Sequence, residues 1–581
     1  MNYQNFVEVV RKNATGSTST TPYTFLHDIG QNLKEETNTY ADIDHATRNI
    51  ASHLQQYHCF NQRVLLLYPS GLEFIKAFLG CLYAGAVAVP APLPSKKRQQ
   101  LKRVYNIIQD ADIKVILTSK AHLAYINSWI EEEGLEQLTC IATDDLQLDL
   151  SNQWIQAKIE PDHLAFLQYT SGSTSEPKGV MVSHKNLLSN EQLIKKAFGF
   201  SETTKFVGWL PFYHDMGLIG NILQPLYLGI PAVFMSPMAF LKKPVRWLQA
   251  ISDYQSTCSG GPNFAYDLCT HRVTDEQFAQ LDLSSWQVAF NGSEPIRAET
   301  LRAFSDRFAL AGFNYKTFYP CYGLAECTLF VSGDLNTPTT ITVDSSSFEQ
   351  NQIHIVSTDT DLKTTTLTSS GIVEDLNVAI VNPDTQERLP KNQVGEVWIS
   401  GDSVAQGYWN LDEITATTFK AKIVGEEELE YFRTGDLGFF HENKLFITGR
   451  IKELILLNGR NLYPYDIERE VQTLAPAFSG KAGAAFSIEV GQEELVIVQE
   501  IKSLPMSEAK LQELVFRVKQ AIAQSFEVKV SHVVFIKQAS LPKTTSGKIQ
   551  RKLTKNLFMD NNLEVVFSEP SSWVRLCETV S

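Results

Sequence analysis

The 581-residue chain has no cysteine pair at CxxC spacing, no excess of basic residues and no long apolar run free of glycine and proline. Each absence excludes something. Its eight cysteines (Cys59, Cys81, Cys140, Cys258, Cys269, Cys321, Cys327 and Cys577) are scattered, without histidines at zinc-finger spacing. That argues against a zinc module or a disulfide framework and suits a reducing cytoplasm. Lys plus Arg total 51 against 65 Asp plus Glu, a formal charge of -14, which opposes long-range attraction to nucleic acid or anionic lipid. No nucleic-acid partner is expected. Met1 to Gly16 lacks the basic segment, apolar stretch and cleavage site of a signal peptide, so a cytoplasmic location is expected. The uncharged run from Ala77 to Pro94 is broken by Gly80, Gly85, Pro90, Pro92 and Pro94; it reads as a buried helix feeding a strand, not a membrane span.

With 43% hydrophobic and 20% charged residues, the chain has enough apolar material for several packed units. Short aliphatic runs such as Val64 to Tyr68 and Val115 to Leu117 alternate with helix-length stretches such as Gly71 to Tyr83. The fold class is therefore α/β. From about Ser332 to Ser370 serine and threonine crowd together, with strand-like pieces only at Ile341 to Val343 and Ile353 to Val356. Composition alone favours a disordered surface loop there. Alternating strands return from Asn377 to about Gly449, with Gly395 to Ile399 the clearest, as a β-rich subdomain. Beyond Gly449 a small α/β unit is expected, with helices at Asp466 to Leu474 and Glu508 to Gln524, and the boundary falls near Arg450.

The segment Tyr169-Thr170-Ser171-Gly172-Ser173-Thr174-Ser175-Glu176-Pro177-Lys178-Gly179 follows the apolar piece Leu164 to Leu167. Glycines let a backbone approach an anion, hydroxyls donate hydrogen bonds and Lys178 adds charge, so a turn here suits a polyphosphate. A mobile polar loop is the plainer alternative, and the spacing is not that of a GxxxxGK[ST] P-loop.

That segment resembles the phosphate loop of the acyl-adenylate-forming enzymes, which include acyl-CoA synthetases, luciferases and peptide-synthetase adenylation domains. Further landmarks follow in the family's order: Pro211 to Gly217, Asn291 to Pro295, Tyr322 to Glu326, Tyr431 to Asp436, Gly449 to Glu453 and Pro542 to Lys548. The resemblance spans nearly the whole chain and implies a large multi-subdomain N-terminal AMP-binding domain (1–449), a hinge (450–452) at Lys452, and a small mobile C-terminal domain (453–581). It implies a reaction in which a carboxylate attacks the α-phosphate of ATP. Thr170, Ser171, Gly172, Ser173, Thr174, Lys178, Gly292, Ser293, Glu294, Tyr322, Gly323, Asp436 and Arg450 would bind nucleotide. Glu326 and Thr174 would hold Mg²⁺ as hard oxygen ligands; Lys548 would bridge carboxylate and α-phosphate, with His214 beside the carboxylate. Without the resemblance, Glu326 reads as a surface carboxylate, His214 as structural, and the basic stretch of Lys543, Lys548, Arg551 and Lys552 as a solvated face. One departure stands out: Ser175 occupies a position where the family usually has glycine.

Within the family the chain is most similar to the fatty acyl-AMP ligases, which pass the acyl group to an acyl carrier protein or polyketide synthase. Leu456 to Pro464, which includes Arg460, resembles their loop, where acyl-CoA synthetases carry a Gly-Gly-Glu sequence, and the 332–370 segment resembles their insertion. Trp209, Phe212, Ile222, Phe234 and Phe264 are candidates for an acyl tunnel, although an ordinary core explains them equally well. A fatty acyl-CoA ligase is the alternative, and a non-catalytic adenylate-binding protein a more distant one.

Overall fold

The computed structural model describes residues 3–30, 32–95, 98–170, 177–357, 359–457, 459–490, 492–502, 506–544 and 547–569. Of the expected phosphate loop, Ser171, Gly172, Ser173, Thr174, Ser175 and Glu176 lie outside these residues, as does Cys577. The architecture is mixed α/β, with a large N-terminal domain and a smaller C-terminal one.

Two sheets organise the large domain. The strand Arg63–Tyr68 carries aliphatic side chains on both faces, which a strand can bury only in the middle of a covered parallel sheet. Val87–Pro92 and Val115–Thr118 accordingly flank it in parallel. The uncharged run resolves into the buried helix Leu72–Ala84 and that strand. Gly85 ends the helix in the left-handed region (φ +69), where a Cβ is disfavoured. Leu164–Thr170 and Lys178–Ser183 close the sheet as an antiparallel pair with Thr170 opposite Lys178. The second sheet has fourteen strands and runs from the central strands Phe206–Gly208, Cys258–Gly260, Val288–Asn291 and Phe318–Gly323 into the β-rich region ending at Lys444–Arg450.

The small domain has its own core. A four-stranded sheet of Gly483–Val490, Gln492–Ile501, Val530–Lys537 and Val565–Ser568 is covered on one face by helices Pro464–Thr473 and Glu508–Phe526, and on the other by Arg551–Met559. Arg551 is not part of a solvated basic face: it pairs with Glu468 at 2.7 Å and Glu453 at 2.6 Å.

The Ser/Thr-rich segment is folded, contrary to its composition. Thr340–Asp344 pairs antiparallel with Thr364–Thr368, a strand the polar sequence conceals; Ile355 contributes only an isolated bridge to Val343. Burial of three apolar side chains, Val343, Phe348 and Ile353, against Leu437, Phe439, Phe446 and Tyr463 offsets the ordering cost.

Candidate active site

A cavity of about 1060 Å³ opens between the central strands and the small domain. At its polar end Asp436 and Arg450 face each other across antiparallel strands. Arg450 Nε lies 2.9 Å from Asp436 Oδ1, and Tyr322 Oη donates to Oδ2 at 2.6 Å. Both carboxylate oxygens are thus engaged, each with a lone pair to spare. Asp436 raises the Arg450 guanidinium above its usual range, while burial and then the Asp436 charge push up the Tyr322 phenol. Tyr322, Gly323 and Arg450 line the cavity, and Asp436 stands behind them. Thr170, Gly292 and Ser293 also line it. Gly292 is demanded first by strand packing: a Cβ would sit 2.8 Å from the Cys321 carbonyl oxygen.

Glu326 follows in a short 3-10 turn, Ala325–Cys327. Tyr408 Oη donates to its Oε1 at 2.8 Å, and burial raises its carboxyl above the ordinary range despite that bond. No three His, Cys, Asp or Glu side chains gather into a metal site among the described residues. A half-buried carboxylate on this cavity nevertheless fits Mg²⁺, which is commonly held by one or two carboxylates plus substrate phosphates and water. Lys178 lies over the Tyr408 ring, 4.7 Å from its centroid. Burial, then the nearby Lys452 charge, lowers its ammonium below the usual range.

Lys548 comes from the small domain. The turn that carries it closes through Thr544 N–H donating to the Lys548 carbonyl at 2.7 Å, with Gly547 at φ +87; Thr545 and Ser546 lie outside the described residues. Its side chain borders the cavity, accessible to the solvent there yet crowded by protein. Burial and the Arg450 charge lower its ammonium, against the opposing pull of Asp215, Glu294 and Asp436. Its ammonium makes no hydrogen bond or ion pair among the described residues. His214 also lines the cavity, with Nδ1 3.5 Å from Asp215 Oδ1. Burial acts to raise the Asp215 carboxyl, but His214 and Lys548 together leave it below its usual value.

Some expected residues stand elsewhere. Glu294 does not line the cavity; its Oε1 accepts from Phe264 N–H at 3.0 Å in the first turn of helix Asn263–Arg272. The five acyl-tunnel candidates do not line it either. Trp209 packs on Phe240 at 4.1 Å, with Phe264 at 6.1 Å from it; Phe212 and Phe234 pack on each other at 5.7 Å; and Ile222 is fully buried. Trp209, Phe212, Ile222 and Phe234 are buried core residues, whereas Phe264 is 37% exposed. The apolar wall is built instead by Ile194 from helix His184–Ala197 and Phe198 at its C-terminal cap, with Phe206, Phe290, Leu329 and Phe330 from the sheet side. The spacing of Ile194 and Phe198, one helical turn, is the signal that marks one face. Asp215 was the other omission, although it adjoins His214.

The insertion reaches the small domain near this site. The Glu349 carboxylate accepts from Arg460 Nε at 2.7 Å, and its backbone carbonyl accepts from Asn461 N–H at 3.0 Å. Beside it Phe348 stacks on Tyr463, centroids 4.9 Å apart and planes 15° from parallel.

A family profile described as AMP-binding enzyme matches residues 17–409, and one described as Disco-interacting protein 2-like, AMP domain, matches 452–568. A medium-chain-fatty-acid–[acyl-carrier-protein] ligase, JamA of Moorena producens, is 43% identical over 553 residues, 93% of each chain. The long-chain-fatty-acid–AMP ligase FadD26 of Mycobacterium marinum is 37% identical over 94% of this chain and 95% of its own. A crystal structure of a fatty acyl-adenylate ligase from L. pneumophila, in complex with acyl adenylate and pyrophosphate, superposes with a TM-score of 0.76 at 39% identity, covering 98% of both chains.

Proposed function

We infer the function of this chain from the family to which it belongs, the AMP-binding enzymes: it is an AMP-forming ligase, and we propose that it activates a medium-chain fatty acid for transfer to an acyl carrier protein. The observation that carries this reading is the convergence of Lys548, Arg450 and Glu326 on one cavity whose far wall is apolar. A carboxylate oxygen attacks the α-phosphorus of ATP, an acyl phosphoanhydride bond forms, and the bond to the β-phosphate's bridging oxygen breaks, releasing pyrophosphate. Negative charge crowds at the α-phosphate as this happens. Lys548, with no competing partner among the described residues, is free to lie between carboxylate and α-phosphate. Asp436 accepts from the ribose hydroxyls through its remaining lone pairs, with Arg450 and Tyr322 fixing the carboxylate. Thr170, Ser293 and Gly323 border the nucleotide, and Lys178 together with residues 171–174 would contact the phosphates. His214 orients the substrate carboxylate. Glu326, with Thr174, would hold Mg²⁺, which supplies charge neutralisation on the phosphate oxygens.

For the acceptor, the grip of Phe348 and Glu349 on Tyr463 and Arg460 supports a carrier protein. Rotation of the small domain about Lys452 would have to break these contacts, and the insertion thereby disfavours a thioester-forming arrangement for free CoA. A polyketide synthase carrying the same phosphopantetheine arm is an equivalent acceptor. The test incubates the enzyme with decanoic acid, ATP and Mg²⁺, measures pyrophosphate and intact acyl-adenylate by mass spectrometry, then adds either CoA or a phosphopantetheinylated carrier protein. Adenylate and acyl-carrier should accumulate, with little acyl-CoA. Absence of adenylate overturns the activity; efficient acyl-CoA synthesis overturns the carrier reading and favours a fatty acyl-CoA ligase.

A further inference from the structure

The apolar part of the cavity contains one side chain out of character with its surroundings. Asn221 lines the cavity and is 0% exposed. Neither its Oδ1 nor its Nδ2 has a hydrogen-bond partner among the described residues. It sits in the π-helical segment Met216–Leu223, a rare geometry found frequently at functional sites. The amide packs beside Phe206, against the backbone of Gly208, where a Cβ would come within 2.6 Å of Nδ2. The neighbouring strand thus lacks a side chain where the amide needs room.

Other buried asparagines behave differently. Asn190 donates to the Phe330 carbonyl at 2.9 Å, Asn186 to Val404 at 2.8 Å, and Asn291 to Asn263 at 2.8 Å. Gln224, one turn beyond Asn221 and equally buried, has an orientation in which its amide nitrogen reaches the Glu191 carbonyl at 3.1 Å. Among the described residues, Asn221 alone of the buried asparagines leaves both amide atoms without a protein partner. A dry, unpaired amide is destabilising, and a leucine of similar size would pack the same wall without that cost.

We propose that Asn221 is a specificity-determining residue that recognises a hydrogen-bonding oxygen, a hydroxyl or a ketone, on the part of the acyl chain remote from the carboxylate. This deepens the proposed fatty-acid activation and rests on it. A ketone accepts from Nδ2; a hydroxyl can in addition donate to Oδ1. Discrimination of this kind is strong because a chain lacking the oxygen leaves the amide unpaired in the bound complex.

The experiment compares kcat/KM for pyrophosphate release with plain decanoic acid and with decanoic acids carrying a hydroxyl or a ketone at successive positions beyond the midpoint. The unmodified enzyme should favour one oxygenated position over the plain chain by about 10–100-fold. Asn221→Leu should invert that order, raising kcat/KM on the plain acid, with a melting temperature no lower than that of the unmodified enzyme. Asn221→Ala serves as the second variant and should erase the preference. A hydroxyl favoured over the matched ketone assigns both amide atoms; equal preference assigns Nδ2 alone. Activity on every acid with the plain chain preferred by the unmodified enzyme overturns this inference while leaving fatty-acid activation intact. No pyrophosphate with any acid overturns both.

Discussion

The Asp436 end of the cavity and the Lys548 turn meet at one site but are built in opposite ways. Asp436 is bracketed by Tyr322 and Arg450, on strands whose register places the pair face to face. Lys548 arrives on a glycine turn of a separately cored unit, and its ammonium has no partner ion among the described residues. The difference teaches a division of labour. Groups that only bind can be held by their neighbours in advance, whereas a charge needed between two reactants must stay unpaired until they are present.

Replacing Lys548 should affect chemistry most and binding least. Lys548→Ala is expected to slow single-turnover pyrophosphate release by about 10²–10³-fold, the loss typical of one preorganised charge-stabilising group. ATP affinity, read by calorimetry, should barely change; a near-normal rate would end the assignment. Asp436→Asn should show the reverse pattern. Its amide cannot accept from Tyr322, Arg450 and ribose together, so ATP affinity should fall by roughly 10–100-fold, the range for hydrogen bonds to a charged group. Substrate-saturated turnover should suffer far less, and a pure kcat defect would break the comparison.

Glu326→Gln lies between the two. A neutral amide is a weaker ligand for a hard cation, so the Mg²⁺ titration should shift upward by about tenfold and excess Mg²⁺ should restore most of the rate. An unshifted titration would make Glu326 a structural carboxylate tied only to Tyr408. The smallest effect on adenylation is expected from Phe348→Ala with Glu349→Ala, which cuts the contacts from the insertion to Tyr463 and the Arg460 side chain. Pyrophosphate release should stay within about twofold, since neither residue borders the cavity. Acyl-CoA, measured by chromatography, should rise severalfold. No rise would detach acceptor choice from these contacts.

How much was legible in the sequence follows the same division. Helix Leu72–Ala84, strand Gly395–Ser400 and helix Glu508–Phe526 were readable because periodicity and burial agree along a contiguous stretch. The strand Thr364–Thr368 was not, because threonines and a single leucine gain strand geometry only from their partner Thr340–Asp344. Which side chains wall the cavity was not legible for a related reason. Trp209, Phe212 and Phe234 are as apolar as Phe198, Phe206 and Phe290, and composition cannot say which aromatic fills a core and which borders a cavity.

By itself, the sequence determined the α/β class, the order of the motifs and the chemical types at the nucleotide site, since these depend on residue identity and short spacing. Tertiary structure alone decided that Asp436 stands behind Arg450 and Tyr322, that Glu294 turns toward Phe264 instead of the cavity, and that the polar insertion grips Arg460 across 111 residues of chain. Each depends on which distant surfaces meet. Packing brings those surfaces together, and no local pattern records the partner.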